Sequence, residues 1–194
     1  MRTAIFDIES FSLHADTGLL LCAVIKEYQS PQQREEVGEC KPIVIRADDY
    51  WTWDKNRTNC KPTTKAVLEA LDGFDIYVAH NGVFFDRSML VSWALKYRLP
   101  VSLNFSKFVD PCQVSRRKLK LARNSLDKLI HWLDVPHEKT EILWTEWTKA
   151  AFEGRRKSMN YIVEHCIADV KALECVYDSV KRLVKGVDDQ GSSR

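Results

Sequence analysis

The sequence predicts an α/β protein, a mixed central sheet flanked by helices in a single domain. Three observations predict it. Short apolar runs of strand type crowd the first half of the chain. Helical periodicity dominates the second half. No linker and no internal repeat divides the chain, and 194 residues suffice for one real core.

Ala4 to Ile8 reads as the first strand, Leu19 to Tyr28 as the second and Pro42 to Arg46 as the third. The stretch Gln29 to Lys41 between them is polar and turn-rich, and Asp48 to Pro62 is irregular. Helical spacing begins at the candidate caps Thr63 and Thr64, carries Val67, Leu68 and Leu71, and stops at Asp72-Gly73. Ile76 to Ala79 is a fourth strand. Helices follow over about Phe84–Tyr97, Ser125–Leu133, Ile142–Phe152 and Ser158–Val184. The domain is expected over residues 1–187, with 188–194 a flexible tail.

Composition excludes several classes. At 45% hydrophobic and 29% charged the chain is neither disordered nor fibrous. Its net charge of +2 rules out holding nucleic acid by bulk positive charge, so such a partner must be gripped locally. No apolar run approaches the roughly 20 residues of a membrane helix, and Met1-Arg2-Thr3 leads into a strand rather than a signal peptide. No membrane partner is expected. The six cysteines form no C-x-x-C pair or zinc-finger spacing and read as free thiols, with a Cys40–Cys60 bridge across a loop as the alternative.

Charge against the apolar pattern locates the candidate site. Asp7 and Glu9 share one face at the end of the first strand, with Cα atoms about 6.6 Å apart. Taken alone they also suit a solvated strand end. In the last helix the apolar stripe runs Ile162, Cys166, Val170, Leu173, Tyr177, Val180 and Val184. Asp169 falls on or beside it, with His165 four residues earlier, which a helical i, i+4 pair would also explain. Asp86 heads the stripe Leu90, Trp93, Tyr97, where the helix dipole alone favours an acid. Before it, His80-Asn81-Gly82 is a polar cluster at the end of an apolar strand, suited to a turn or to a phosphate oxygen.

The conjunction of these four acids is the informative part. Like charges at 4 Å repel by about 4 kcal/mol at an effective dielectric of 20. Convergence therefore requires cations. Two divalent ions about 3.5–4 Å apart neutralise such a cluster and suit displacement at phosphorus. All-oxygen ligands favour Mg²⁺ or Mn²⁺ over zinc.

At these residues the chain resembles the DEDD-type 3′→5′ exonucleases of the ribonuclease H-like fold, the group of proofreading exonuclease domains. Phe6-Asp7-Ile8-Glu9-Ser10 resembles the family's D-x-E motif with its following Ser or Thr. Ala79-His80-Asn81-Gly82-Val83-Phe84-Phe85-Asp86 resembles its second, H-N…F-D element. Glu164-His165-Cys166-Ile167-Ala168-Asp169-Val170 resembles the helix of the last aspartate. Val109-Asp110 and Ser125-Leu126-Asp127-Lys128-Leu129 resemble connecting segments, so the likeness runs from about Thr3 to Tyr177.

The resemblance implies that Asp7, Glu9, Asp86 and Asp169 hold two Mg²⁺ or Mn²⁺ ions. It implies His165 as general base, although one branch has Tyr four residues before the last Asp and the other has His five before. Here His165 stands four before, and Glu164 fills the five-before slot. The implied reaction releases nucleoside 5′-monophosphates from single-stranded 3′ ends; DNA is favoured over RNA as substrate, although no motif encodes contacts to the 2′-position. His80, Asn81, Phe85 and Ser10 are the candidate contacts to that end. Alternatives are a non-catalytic nucleic-acid-binding scaffold, or a proofreading subunit beside a separate polymerase or other replication or repair protein. A compact exonuclease of this type suits the cytoplasm of a bacterium or of a phage-infected host.

Other substrate contacts are more open. The run Arg116 to Arg123 places five positive charges in eight residues, as a phosphate track or a solvated face. Phe84, Trp51, Trp53, Trp144 and Trp147 are stacking candidates or core, and Lys139 is a candidate phosphate contact. Lys26 is taken as a surface residue remote from the cluster.

Overall fold

A computed structural model describes residues 1–101, 107–136 and 140–184 of the chain. Lys139 and the 188–194 tail lie outside the described residues. Five strands form one mixed sheet in the order β3-β2-β1-β4-β5: β1 Thr3–Ser10, β2 Leu20–Glu27, β3 Ile43–Arg46, β4 Ile76–Val78 and β5 Phe108–Val109. β1 to β3 pair antiparallel, whereas β4 lies parallel to β1 and β5 parallel to β4. β1 thus sits at the centre with Ala4, Ile5, Phe6 and Ile8 buried, and only its C-terminal end turns polar. The β1–β2 register slips between Glu9 and Ser10, an irregularity of the kind that re-aims side chains beside active sites.

Eight α-helices flank the sheet among the described residues. α1 Pro31–Val37 lies in the stretch that reads as turns. It buries nothing of its own, and its start is a capping box between Ser30 and Gln33. α2 Thr52–Lys55 is a single turn. α3 Lys61–Leu71 starts ahead of its expected caps. Pro62 occupies its first turn, and Thr63 and Thr64 are buried helical residues. α4 Asp86–Tyr97 follows, with Leu90, Trp93 and Ala94 inside. β5 and α5 Pro111–Lys118 escape the sequence reading. The strand has two residues, too few for periodicity.

α6 Leu126–Trp132 is capped by Ser125, and α7 Trp144–Thr148 continues into a π-helical turn over Lys149–Glu153. α8 Arg156–Val180 is the longest element and packs across β1 and β2. The stripe expected on it is the buried one from Ile162 to Val180. All six cysteines are free. Among the described residues no helix is long and apolar enough to cross a membrane.

Lys26 is not a surface residue. It is 2% exposed and pairs with Glu174 of α8 at 2.5 Å. Glu174 Oε1 also accepts the Gln29 backbone N–H, and Arg34 of α1 reaches Glu174 at 3.4 Å and Asp178 at 2.5 Å. A central lysine tolerates such burial because a carboxylate is buried beside it, and Glu39 lies 3.6 Å away on the exposed side. The same network ties the otherwise exposed α1 to α8.

Candidate active site

The C-terminal end of β1, the start of α4 and the middle of α8 meet at one place. Asp7 and Glu9 come from β1. Asp86, 1% exposed, heads α4 and accepts the Ile8 backbone N–H at 3.0 Å, so the second motif is fastened directly between the two carboxylates of the first. His165 and Asp169 project one turn apart from α8. His165 Nε2 lies 3.6 Å from Asp169 Oδ2 and 3.9 Å from Glu9 Oε1. All five predicted groups are therefore brought together.

The electrostatics are those of crowded acids. Burial, then the charges of Asp86, Glu9 and Asp169, push the Asp7 carboxyl well above the usual range. Burial pushes Glu9 up too, with Cys22, Asp169 and Asp86 adding to it and the Trp147 N–H opposing. Burial lifts Asp86 to about 7 despite its bond from Ile8. Crowded, buried carboxylates are stabilised by a counter-charge, and oxygen donors of this kind favour hard cations. The donor set fits divalent ions.

Three more side chains complete the site: Trp147, expected only as a stacking or core residue, and Thr140 and Cys166, to which the sequence gives no site role. Trp147 is 2% exposed and donates its Nε1–H to Glu9 Oε2 at 3.1 Å, while its ring meets the His165 imidazole edge-on at 5.7 Å. Thr140 Oγ1 bonds His165 Nδ1 at 2.6 Å, which turns Nε2 toward the carboxylates. The buried Cys166 thiol, kept protonated by burial, donates to Asp7 Oδ2 at 3.4 Å. Donor atoms of Asp7, Glu9 and Cys166 lie within 4.8 Å of one another. Trp147 stands two residues before the π-helical turn, and such turns frequent functional sites.

The expected substrate contacts are placed less uniformly. Ser10 Oγ donates to the Ser12 carbonyl within its own turn. His80 Nε2 bonds the Asn124 carbonyl, and burial lowers its proton affinity. Asn81 sits at φ +57°, and its backbone N–H and that of Val83 are both held by the Asp110 carboxylate, which also caps α5. A Cβ at Gly82 would collide with Ala79, so this turn requires glycine. Of the adjacent phenylalanines, Phe85 packs against the core and Phe84 is 66% exposed. Trp53 is core and Trp51 exposed, and Arg116, Arg117, Lys118, Lys120 and Arg123 are all exposed.

A mixed five-stranded sheet of this order, flanked by helices and carrying acids at the end of its central strand, defines a ribonuclease H-like domain. The chain belongs to the RNase H superfamily, whose profile matches residues 45–181, a span that includes Asp86, His165 and Asp169 but not Asp7 and Glu9. Members of that superfamily are usually nucleases. Among solved structures the chain is similar to the family B DNA polymerase from the hyperthermophilic archaeon Pyrobaculum calidifontis, with a TM-score of 0.68 at 12% identity. The match covers 93% of this chain and 24% of that one, and at this identity it is a likeness of fold. No curated protein matches the chain.

Proposed function

We propose that the protein is a divalent-metal-dependent 3′→5′ exonuclease that removes nucleoside 5′-monophosphates from single-stranded ends, DNA in preference to RNA. The observation that carries this reading is the convergence of Asp7, Glu9, Asp86 and Asp169, each held above its ordinary proton affinity or beside a residue that is. Two bound ions would supply Lewis acidity and neutralise charge at the phosphodiester.

The protein groups do the rest. Asp7, Glu9, Asp86 and Asp169 would hold the ions, and the Cys166 thiol, the Trp147 indole and the Ile8 N–H hold Asp7, Glu9 and Asp86 in turn. His165 bonds Thr140 through Nδ1, and in the tautomer protonated there its Nε2 lone pair would face the attacking water and take its proton. The water oxygen bonds to phosphorus, the bond to the 3′-oxygen breaks, and that oxygen leaves with a proton. The likeness to a polymerase favours one further reading, a proofreading subunit bound to a separate polymerase.

Incubation of a 5′-labelled oligonucleotide with Mn²⁺ or Mg²⁺ tests the reading. The expected product is a ladder shortening from the 3′ end, lost in Asp7→Ala and Asp169→Ala with the fold intact. His165→Ala is expected to slow it by roughly 10²–10⁴ while Mn²⁺ binding persists. Binding without products would instead support a scaffold. Matched DNA and RNA strands compared side by side decide the sugar.

A further inference from the structure

α7 carries two indoles three residues apart with opposite surroundings. Trp147 is inside and gives its N–H to Glu9. Trp144 is 64% exposed, with its ring 5.9 Å from that of Trp147 and tilted by 55°. Ile142 and Leu143, just before it, are exposed as well. The segment is firmly fastened. Glu146 accepts from Ser158 Oγ at 2.6 Å and from Lys149 Nζ at 2.7 Å, and the Tyr161 hydroxyl donates to the Glu141 carbonyl. A rigid indole held open to solvent, one ring away from the carboxylates, is pre-organised for a flat apolar ligand.

We propose that Trp144 is a stacking platform for one nucleobase of a single-stranded polynucleotide whose phosphodiester lies at the carboxylate cluster. The inference rests on the nuclease reading above and adds where the strand runs: over α7. Continuity carries it, because Trp144 contacts Trp147, and Trp147 touches both Glu9 and His165. Chemistry selects the occupant. An aromatic face accepts any base without reading its edge, as an enzyme that shortens strands of any sequence requires. A base there is also anchored at a fixed distance from the scissile bond, because the fastenings at Glu141 and Glu146 hold α7 to α8.

The test compares wild type, Trp144→Ala and Trp144→Phe on oligothymidylates, one intact and others lacking a single base at successive positions from the 3′ end. The p-nitrophenyl ester of thymidine 5′-monophosphate, which has no neighbouring base, is the control. Trp144→Ala is expected to raise KM for the intact strand roughly 10-fold with kcat nearly unchanged, and Trp144→Phe to recover most of it. One abasic position is expected to cost wild type a similar factor and Trp144→Ala nothing, the signature of a direct pair. The ester carries only the terminal base, so it distinguishes the three proteins only where that base, rather than one upstream, is the stacked one.

Equal losses in wild type and Trp144→Ala at every position overturn the platform. So does an unchanged KM accompanied by a change in oligomeric state, which assigns the exposed face to a protein contact. Wild type that leaves every strand intact overturns the nuclease reading and the platform together. An active wild type matched by Trp144→Ala overturns the platform alone.

Discussion

Asp86 is buried, holds one backbone N–H and is surrounded by other acids, so its proton affinity sets how the protein responds to pH. Its folded value of about 7 lies above the roughly 3.9 of an unfolded aspartate. A raised value means stability that is complete below the unfolded value and lost as pH rises through the folded one. Asp7 and Glu9 act with the same sign. In EDTA the melting temperature is therefore expected to fall between pH 5 and pH 8, and Mn²⁺ to restore it by an amount that grows with pH. Asp86→Asn should flatten the slope in EDTA and abolish activity. Calorimetry across that range checks both.

Trp147→Phe keeps the ring and removes the donor to Glu9. A 10–100-fold loss of metal affinity or turnover is expected at nearly constant melting temperature, read by Mn²⁺ titration. The carboxylates were legible in the sequence because charge interrupts an apolar pattern. Trp147, Thr140 and Cys166 were not, since a buried tryptophan, a loop threonine and a core cysteine are what the pattern expects anyway. Their roles arise from contacts such as Trp147 to Glu9, 138 residues apart.

At the scale of elements, one side chain joins the second motif to the sheet edge. Asp110 caps α5 through the N–H groups of Cys112 and Gln113 and holds those of Asn81 and Val83. Asp110→Ala is expected to cost about 2 kcal/mol, the scale of a lost cap plus charge-assisted bonds, and to lower activity by loosening the turn before Asp86. Urea unfolding and the ladder assay measure the two effects. The longer strands and helices were readable from period alone. α1 was marked by Ser30-Pro31-Gln32-Gln33, a start signal overlooked because no apolar face follows it. β5 and α5 were unreadable for another reason: two residues make no period, and α5 buries only Pro111, Cys112 and Ser115.

For the whole molecule, the Lys26–Glu174 pair sets a stability independent of the chemistry. Glu174→Ala leaves the buried lysine only the exposed Glu39 at 3.6 Å and removes one of the two carboxylates that hold Arg34 of α1, so a loss of about 3–5 kcal/mol is expected. The turnover of the folded fraction should be unchanged, because the pair touches none of the site residues. Denaturant titration alongside the ladder assay separates the two. The sequence hid this pair because strand alternation places Lys26 correctly on a face yet says nothing of what covers it.

α8 lies across β1, which brings Asp7 and Glu9, while α8 brings His165 and Asp169. A nascent chain still threaded through the ribosome exposes Asp7 and Glu9 long before His165 and Asp169 have been synthesised. The acidic cluster is therefore incomplete until α8 has been made and has packed against the sheet.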